Sequence, residues 1–124
     1  MQKKFKKKII ISDATLRDGN HAIKHQINKS QLILYCKAAE SAGIDIVEVG
    51  HGNGIGASSI QVGLSNLKDT KMLEICRKIL NKTKLGIHVI PGFATKKDID
   101  NAISIGVDVF RIASHCTEAD ITQR

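Results

Sequence analysis

"IDIVEVGHGNGIGASS", running from Ile44 to Ser59, holds both halves of the pattern on which the fold turns. Its first seven residues form a short run rich in Ile and Val, of strand length and β-branched character. The rest of the stretch is polar and glycine-rich, the composition of an exposed loop. The pattern recurs on either side. "KIIIS" (8–12) leads into "DATLRDGNH", "KLGIHVIPG" (84–92) into "FAT", and "VDVFRIAS" (107–114) into "HCTEAD".

Amphipathic stretches separate these runs. In "NKSQLILYCKAAESAG" (28–43), Leu32, Tyr35, Cys36, Ala39 and Ala42 follow helical spacing. Asn28 with Gln31 resembles a capping box, and Gly43 suits the position just past a helix end. "DTKMLEICRKILN" (69–81) sets Met72, Cys76 and Ile79 on one side of a second helix. "TKKDIDNAISIG" (95–106) opens with Thr95 and Asp98 at cap spacing and closes on Gly106. "TEADITQR" begins a fourth helix.

Strands alternating with helices predict a parallel sheet with helical cover. Two architectures compete, an open doubly wound sheet and a (β/α)8 barrel, and both carry function at the carboxyl ends of their strands. A dinucleotide-binding sheet concentrates glycines after its first strand. Here polar residues follow every strand, which favours the barrel. A complete barrel needs about 250 residues, so 124 residues with about four βα units read as its amino-terminal half. The expected organisation is a lysine-rich tail at 1–8 and a partial barrel domain at 9–124.

Composition narrows the function. With 42% hydrophobic and 25% charged residues the chain is globular in type. No apolar run nears the roughly 18–20 residues of a membrane span, and the apolar part of the N-terminus is too short for a signal peptide. A cytoplasmic location and no membrane partner are expected. The net charge of +7 resides mostly in Lys3, Lys4, Lys6, Lys7 and Lys8, leaving 14 basic against 12 acidic residues from Ile9 onward. That distribution reads as a solvated tail, with a polyanion contact as the lesser alternative and no nucleic-acid partner expected. Cys36, Cys76 and Cys116 are too far apart in sequence for a structural zinc motif, and the first two fall on helical apolar faces.

"SDATLRDGNHAIKH" (12–25) is either a surface turn or a site. Asp18 is a hard oxygen ligand suited to a divalent cation. Arg17 is a fixed cation able to stabilise an enolate or alkoxide as charge develops. His21 is a candidate general base, imidazole being the side chain that changes charge near neutral pH. Gly19 leaves room for close approach.

Together "DATLRDGNHAIKHQ", "VEVGHGNGIGASS" and "ASHCTEAD" resemble the 4-hydroxy-2-oxovalerate aldolases, within the superfamily of metal-dependent aldolases and lyases that includes hydroxymethylglutaryl-CoA lyase and isopropylmalate synthase. The resemblance runs from about Ile10 onward. It implies that Asp18 ligates a divalent cation, usually Mn²⁺. It implies that Arg17 binds the oxo acid and its enolate, and that His21 takes the proton of the 4-hydroxyl. The implied reaction cleaves 4-hydroxy-2-oxopentanoate to pyruvate and acetaldehyde, with no Schiff-base lysine. The implied partner is an acylating acetaldehyde dehydrogenase.

The family's two further metal ligands, an H-x-H pair, have no match among His21, His25, His51, His88 and His115. Lesser candidates are Glu48 as a carboxylate near the metal, and His51 as a substrate contact or a cap of its own loop. His115 with Cys116 is a third, at the fourth strand end. His25 and His88 are expected to be structural, and Arg111 to pair with Glu48 or Asp108. Two rival functions remain: another carbon–carbon lyase or condensing enzyme of the superfamily, and a non-catalytic half-barrel that self-associates or pairs with a complementary half.

Overall fold

The structure, a computed structural model, describes residues 8–123, so the expected lysine-rich tail lies almost wholly outside the described residues. The chain lays down β1 (Ser12–Asp13), α1 (Lys29–Ala42), β2 (Ile46–Glu48), α2 (Asp69–Arg77), β3 (Lys84–Val89), α3 (Lys96–Ile105) and β4 (Val109–Ile112). The strands form one parallel sheet in the order β1-β2-β3-β4. This is the βα alternation of a half (β/α)8 barrel, as the sequence pattern predicts.

Both expected capping boxes are present. The Asn28 side chain accepts from the Gln31 amide while the Gln31 side chain accepts from the Asn28 amide, and Thr95 and Asp98 do the same for α3. Gly43 and Gly106 close α1 and α3 in left-handed conformations that cost a glycine little.

Register sorts the strand side chains onto two faces. Val47 lies beside Leu85, Ile87 beside Phe110 and Val89 beside Ile112, and this face meets the helices. It packs with Leu32, Cys36 and Ala39 of α1, Met72 and Cys76 of α2, and Ala102 of α3 into one buried core. Cys36 and Cys76 are buried as expected, and Cys116 is exposed. The opposite face, the barrel interior, carries Glu48 beside Gly86 and His88 beside Arg111.

Four expectations change. The first run is apolar over 9–11, yet Ile9, Ile10 and Ile11 are exposed and the regular strand is confined to Ser12–Asp13. Residues 18–23 form a 3₁₀ helix where a loop is expected. Helix α2 ends at Arg77, not at 81. Beyond it, Glu40 accepts backbone hydrogen bonds from Asn81, Lys82 and Thr83 (3.2, 2.7 and 3.0 Å) and draws the chain toward β3. Finally, Cys116–Gln123 is a kinked 3₁₀ segment, not the start of an α-helix. It buries no side chain, and helices owe most of their stability to a packed face.

Candidate active site

The site lies where β1 and β2 end, and it begins with a staple between their loops. Asn20 is buried and its Nδ2 donates to the carbonyls of Leu16 (3.1 Å) and Gly50 (2.8 Å). Asn20 was not anticipated as a site residue. Its only sequence signal is a polar side chain inside a loop that must pack against another loop.

Arg17 is held on three sides. Nε donates to Glu48 Oε2 (3.0 Å), and Nη1 donates to the Gly52 carbonyl (3.0 Å) and to Asp18 Oδ1 (3.3 Å). Its Nη2 has no hydrogen-bond partner among the described residues. The side chain is 11% exposed, whereas that of Asp18 is 68% exposed. A guanidinium fixed in this way, with one amino group open, is preorganised to bind a carboxylate or an enolate oxygen.

Glu48 is the anion beneath. Arg111 grips it through two bonds, Nε to Oε1 and Nη2 to Oε2 (3.0 Å), while Arg17 takes the other side. Burial pushes the Glu48 carboxyl up, but the two arginines outweigh burial and hold it below the usual carboxylate range. This settles the partner of Arg111 as Glu48; Asp108 pairs instead with Arg77 at 2.8 Å. Both Glu48 oxygens are occupied by the two arginines, so Glu48 is their shared counter-ion.

His21 is exposed and lies against Gly52, whose carbonyl Arg17 also binds. A Cβ at residue 52 would enter the space of the His21 ring, so only glycine allows this approach. Gly52 therefore brings together two of the three residues singled out in the first loop. Gly54, at φ 93, has a parallel role: a Cβ there would strike the His88 carbonyl, to which the loop is tied by the Ile55 amide at 3.0 Å.

His51 takes the loop-capping alternative. The Asn53 amide donates to its Nδ1 (3.0 Å), which leaves Nε2 to carry the proton and donate to the Gly63 carbonyl (2.9 Å). The ring is fully buried. His88 is buried on the interior face beside Arg111, with Nδ1 lacking a hydrogen-bond partner among the described residues. Burial first, and then the charges of Arg17 and Arg111, push it below the ordinary histidine range. His115 is exposed after β4, and no hydrogen bond or ion pair joins its side chain to the Arg17 group among the described residues.

A divalent cation needs about six oxygen or nitrogen ligands. Among the described residues no group of three or more His, Cys, Asp and Glu side chains could hold one. Asp18 is a single exposed carboxylate and Glu48 is taken, so these residues do not by themselves make a cation site. No helix among the described residues is long and apolar enough to cross a membrane.

A four-stranded parallel sheet with an arginine, a carboxylate and a histidine gathered at two strand ends is the arrangement of a half (β/α)8 barrel that carries its polar groups at the carboxyl ends of its strands. The HMGL-like family model matches residues 8–124, and the chain belongs to that family, whose members are generally dependent on a divalent metal. It is 60% identical to a 4-hydroxy-2-oxovalerate aldolase of Spirochaeta aurantia over 94% of this chain and 34% of that protein. A protein of the same name from Pectobacterium atrosepticum is 56% identical over 95% of this chain and 35% of its own length. The chain thus spans about a third of the length of the curated relatives it matches. The crystal structure of the N-terminal domain of a protein assigned as an aldolase, from Bacteroides vulgatus, shares the fold. Its TM-score is 0.65 at 23% identity, covering 90% of this chain and 38% of that one.

Proposed function

We propose that residues 9–124 contribute the Arg17, Asp18 and His21 wall of a 4-hydroxy-2-oxovalerate aldolase. The observation that carries this reading is the meeting of Arg17 and His21 on Gly52, with the Arg17 Nη2 open. In the reaction, His21 accepts the 4-hydroxyl proton of 4-hydroxy-2-oxopentanoate. The C3–C4 bond breaks, its electron pair passes to the 2-oxo oxygen, and acetaldehyde leaves. Arg17, kept rigid by Glu48, stabilises the resulting pyruvate enolate, and the proton on His21 returns to C3.

Mn²⁺ is the metal proposed, with Asp18 as the one ligand these residues offer and the remaining ligands outside them. His115 stays a candidate for contact at the fourth strand end. The outer strands support completion by further strands: Ile9, Ile10 and Ile11 beside β1 and Ile112 on β4 are exposed, and unpaired apolar edges are normally covered. The partner proposed for the working enzyme is an acylating acetaldehyde dehydrogenase, and the compartment the cytoplasm.

The test is Mn²⁺-dependent pyruvate release from 4-hydroxy-2-oxopentanoate by the purified chain, beside Arg17→Ala and His21→Ala. Release that both substitutions abolish supports the assignment, and release that survives either one removes that residue's role. Cleavage of an acyl-CoA substrate in place of the oxo acid would move the chain to another branch of the superfamily.

A further inference from the structure

The strongest feature left unused by that mechanism is His25. It is 4% exposed and lies directly after Lys24, the two forming a consecutive pair of non-glycine residues with positive φ (51° and 59°). That backbone is unfavourable for both side chains. It is held by the His25 amide donating to the Asn20 carbonyl (2.8 Å) and the Asn66 amide donating to the His25 carbonyl (2.9 Å). The turn delivers the imidazole into a stack. Its ring lies 3.7 Å from that of His51, centre to centre and nearly parallel at 5°. Its other neighbour is His21, edge-to-face at 5.0 Å and 79°.

One end of this stack is immobile, because both nitrogens of His51 are bound to its own loop. His25 is the corner of the cluster, for the His21 ring also stands edge-on to that of His51 at 6.2 Å, and His21 in turn lies against Gly52. His25 Nε2 is buried with no hydrogen-bond partner among the described residues. An aliphatic side chain would fill the same space without stranding a polar atom, so packing alone does not account for an imidazole on a strained turn.

We infer that His25 is a positioning residue: a ring, braced on His51, that holds the His21 imidazole beside Gly52 and so fixes its direction toward the substrate. The inference rests on the reading of His21 as the base. Burial, and then the proximity of His51 and His21, push His25 below the ordinary histidine range. Those two imidazoles are the titratable groups acting on it. A proton on His25 places a charge at a buried position beside both rings, so acid opens the stack and releases His21.

Nuclear Overhauser contacts between the His21 ring and the Gly52 α-protons, followed from pH 7.5 downward in the full 124-residue chain, test this directly. The contact is expected in the unsubstituted protein at pH 7.5 and is expected to vanish as His25 titrates. His25→Phe, which keeps a ring but cannot take a proton, should hold the contact at both ends of the titration. His25→Ala should lack it throughout.

A contact that persists in His25→Ala, or one that His25→Phe loses on acidification just as the unsubstituted chain does, overturns the inference. If His25→Ala fails to fold, the comparison of the phenylalanine variant with the parent still decides. Failure of the underlying reading looks different: pyruvate release that survives His21→Ala removes the base assignment, whatever the ring contacts show.

Discussion

The helix-facing side of the sheet and its interior side come from the same four strands but hold together differently. On the first, Val47, Leu85, Ile87 and Val89 pack against Leu32, Met72 and Cys76, and every contact is apolar. On the second, Glu48 holds Arg17 on one side and Arg111 on the other, and the contacts are directional and charged. The first kind of face tolerates any side chain of suitable volume. The second fixes a guanidinium in one orientation, at the cost of taking charge out of water. Apolar packing holds one side of the sheet, and paired charge the other.

Substitutions should separate the two. Leu32→Ala, fully buried on the helix side, is expected to cost about 3–4 kcal/mol by urea unfolding. Glu48→Ala should cost about 3 kcal/mol, the low end for a broken buried pair, since the Arg111 side chain is 47% exposed. Acid distinguishes these losses more sharply than their size. The folded Glu48 carboxyl titrates below its ordinary value of 4.5, so its contribution is present above that pH and fades as pH falls through the depressed value. The Glu48→Ala penalty should therefore shrink as pH falls through that depressed value, while the Leu32→Ala penalty should not. A pH-independent Glu48 penalty would mean the residue acts by volume, like the other face.

Thr95→Ala, which removes a cap remote from both faces, should cost about 1 kcal/mol. Mild acid should act on the interior through histidines. His25 and His88 both bind their protons less readily folded than unfolded, so stability is complete above about pH 6.5 and declines below it. A melting temperature that falls between pH 7 and pH 5, and falls less in His88→Leu, is the expected result. The smallest effect belongs to His115→Ala, within about 0.5 kcal/mol, because the ring is exposed.

The same division governs what could be read from sequence. The helix-facing side obeys periodicity, and the two capping boxes span three residues each, so the βα order, α1 and α3 were legible to within a residue or two. Arg17, Asp18 and His21 were legible as a group because they share one loop. Their geometry was not, since the carboxylate that fixes Arg17 lies 31 residues away and Arg111 lies 63 residues from the same carboxylate. The short runs read as uniformly apolar strands, which concealed the alternation that puts Glu48, His88 and Arg111 on one side. His25 read as structural because nothing local reveals a ring stacked on a residue of another loop. The early end of α2 had a similar cause, for Glu40 reaches across more than forty residues to claim the backbone at 81–83.

The sheet order has a consequence for how the chain is made. Because β1, β2, β3 and β4 are neighbours in space in the order they occur in sequence, each strand has its docking edge already built when it leaves the ribosome. No strand must wait for a later one to be inserted between it and its predecessor. Synthesis can therefore proceed as a succession of short-range closures, each joining a new βα unit to the last, and the growing edge passes from strand to strand.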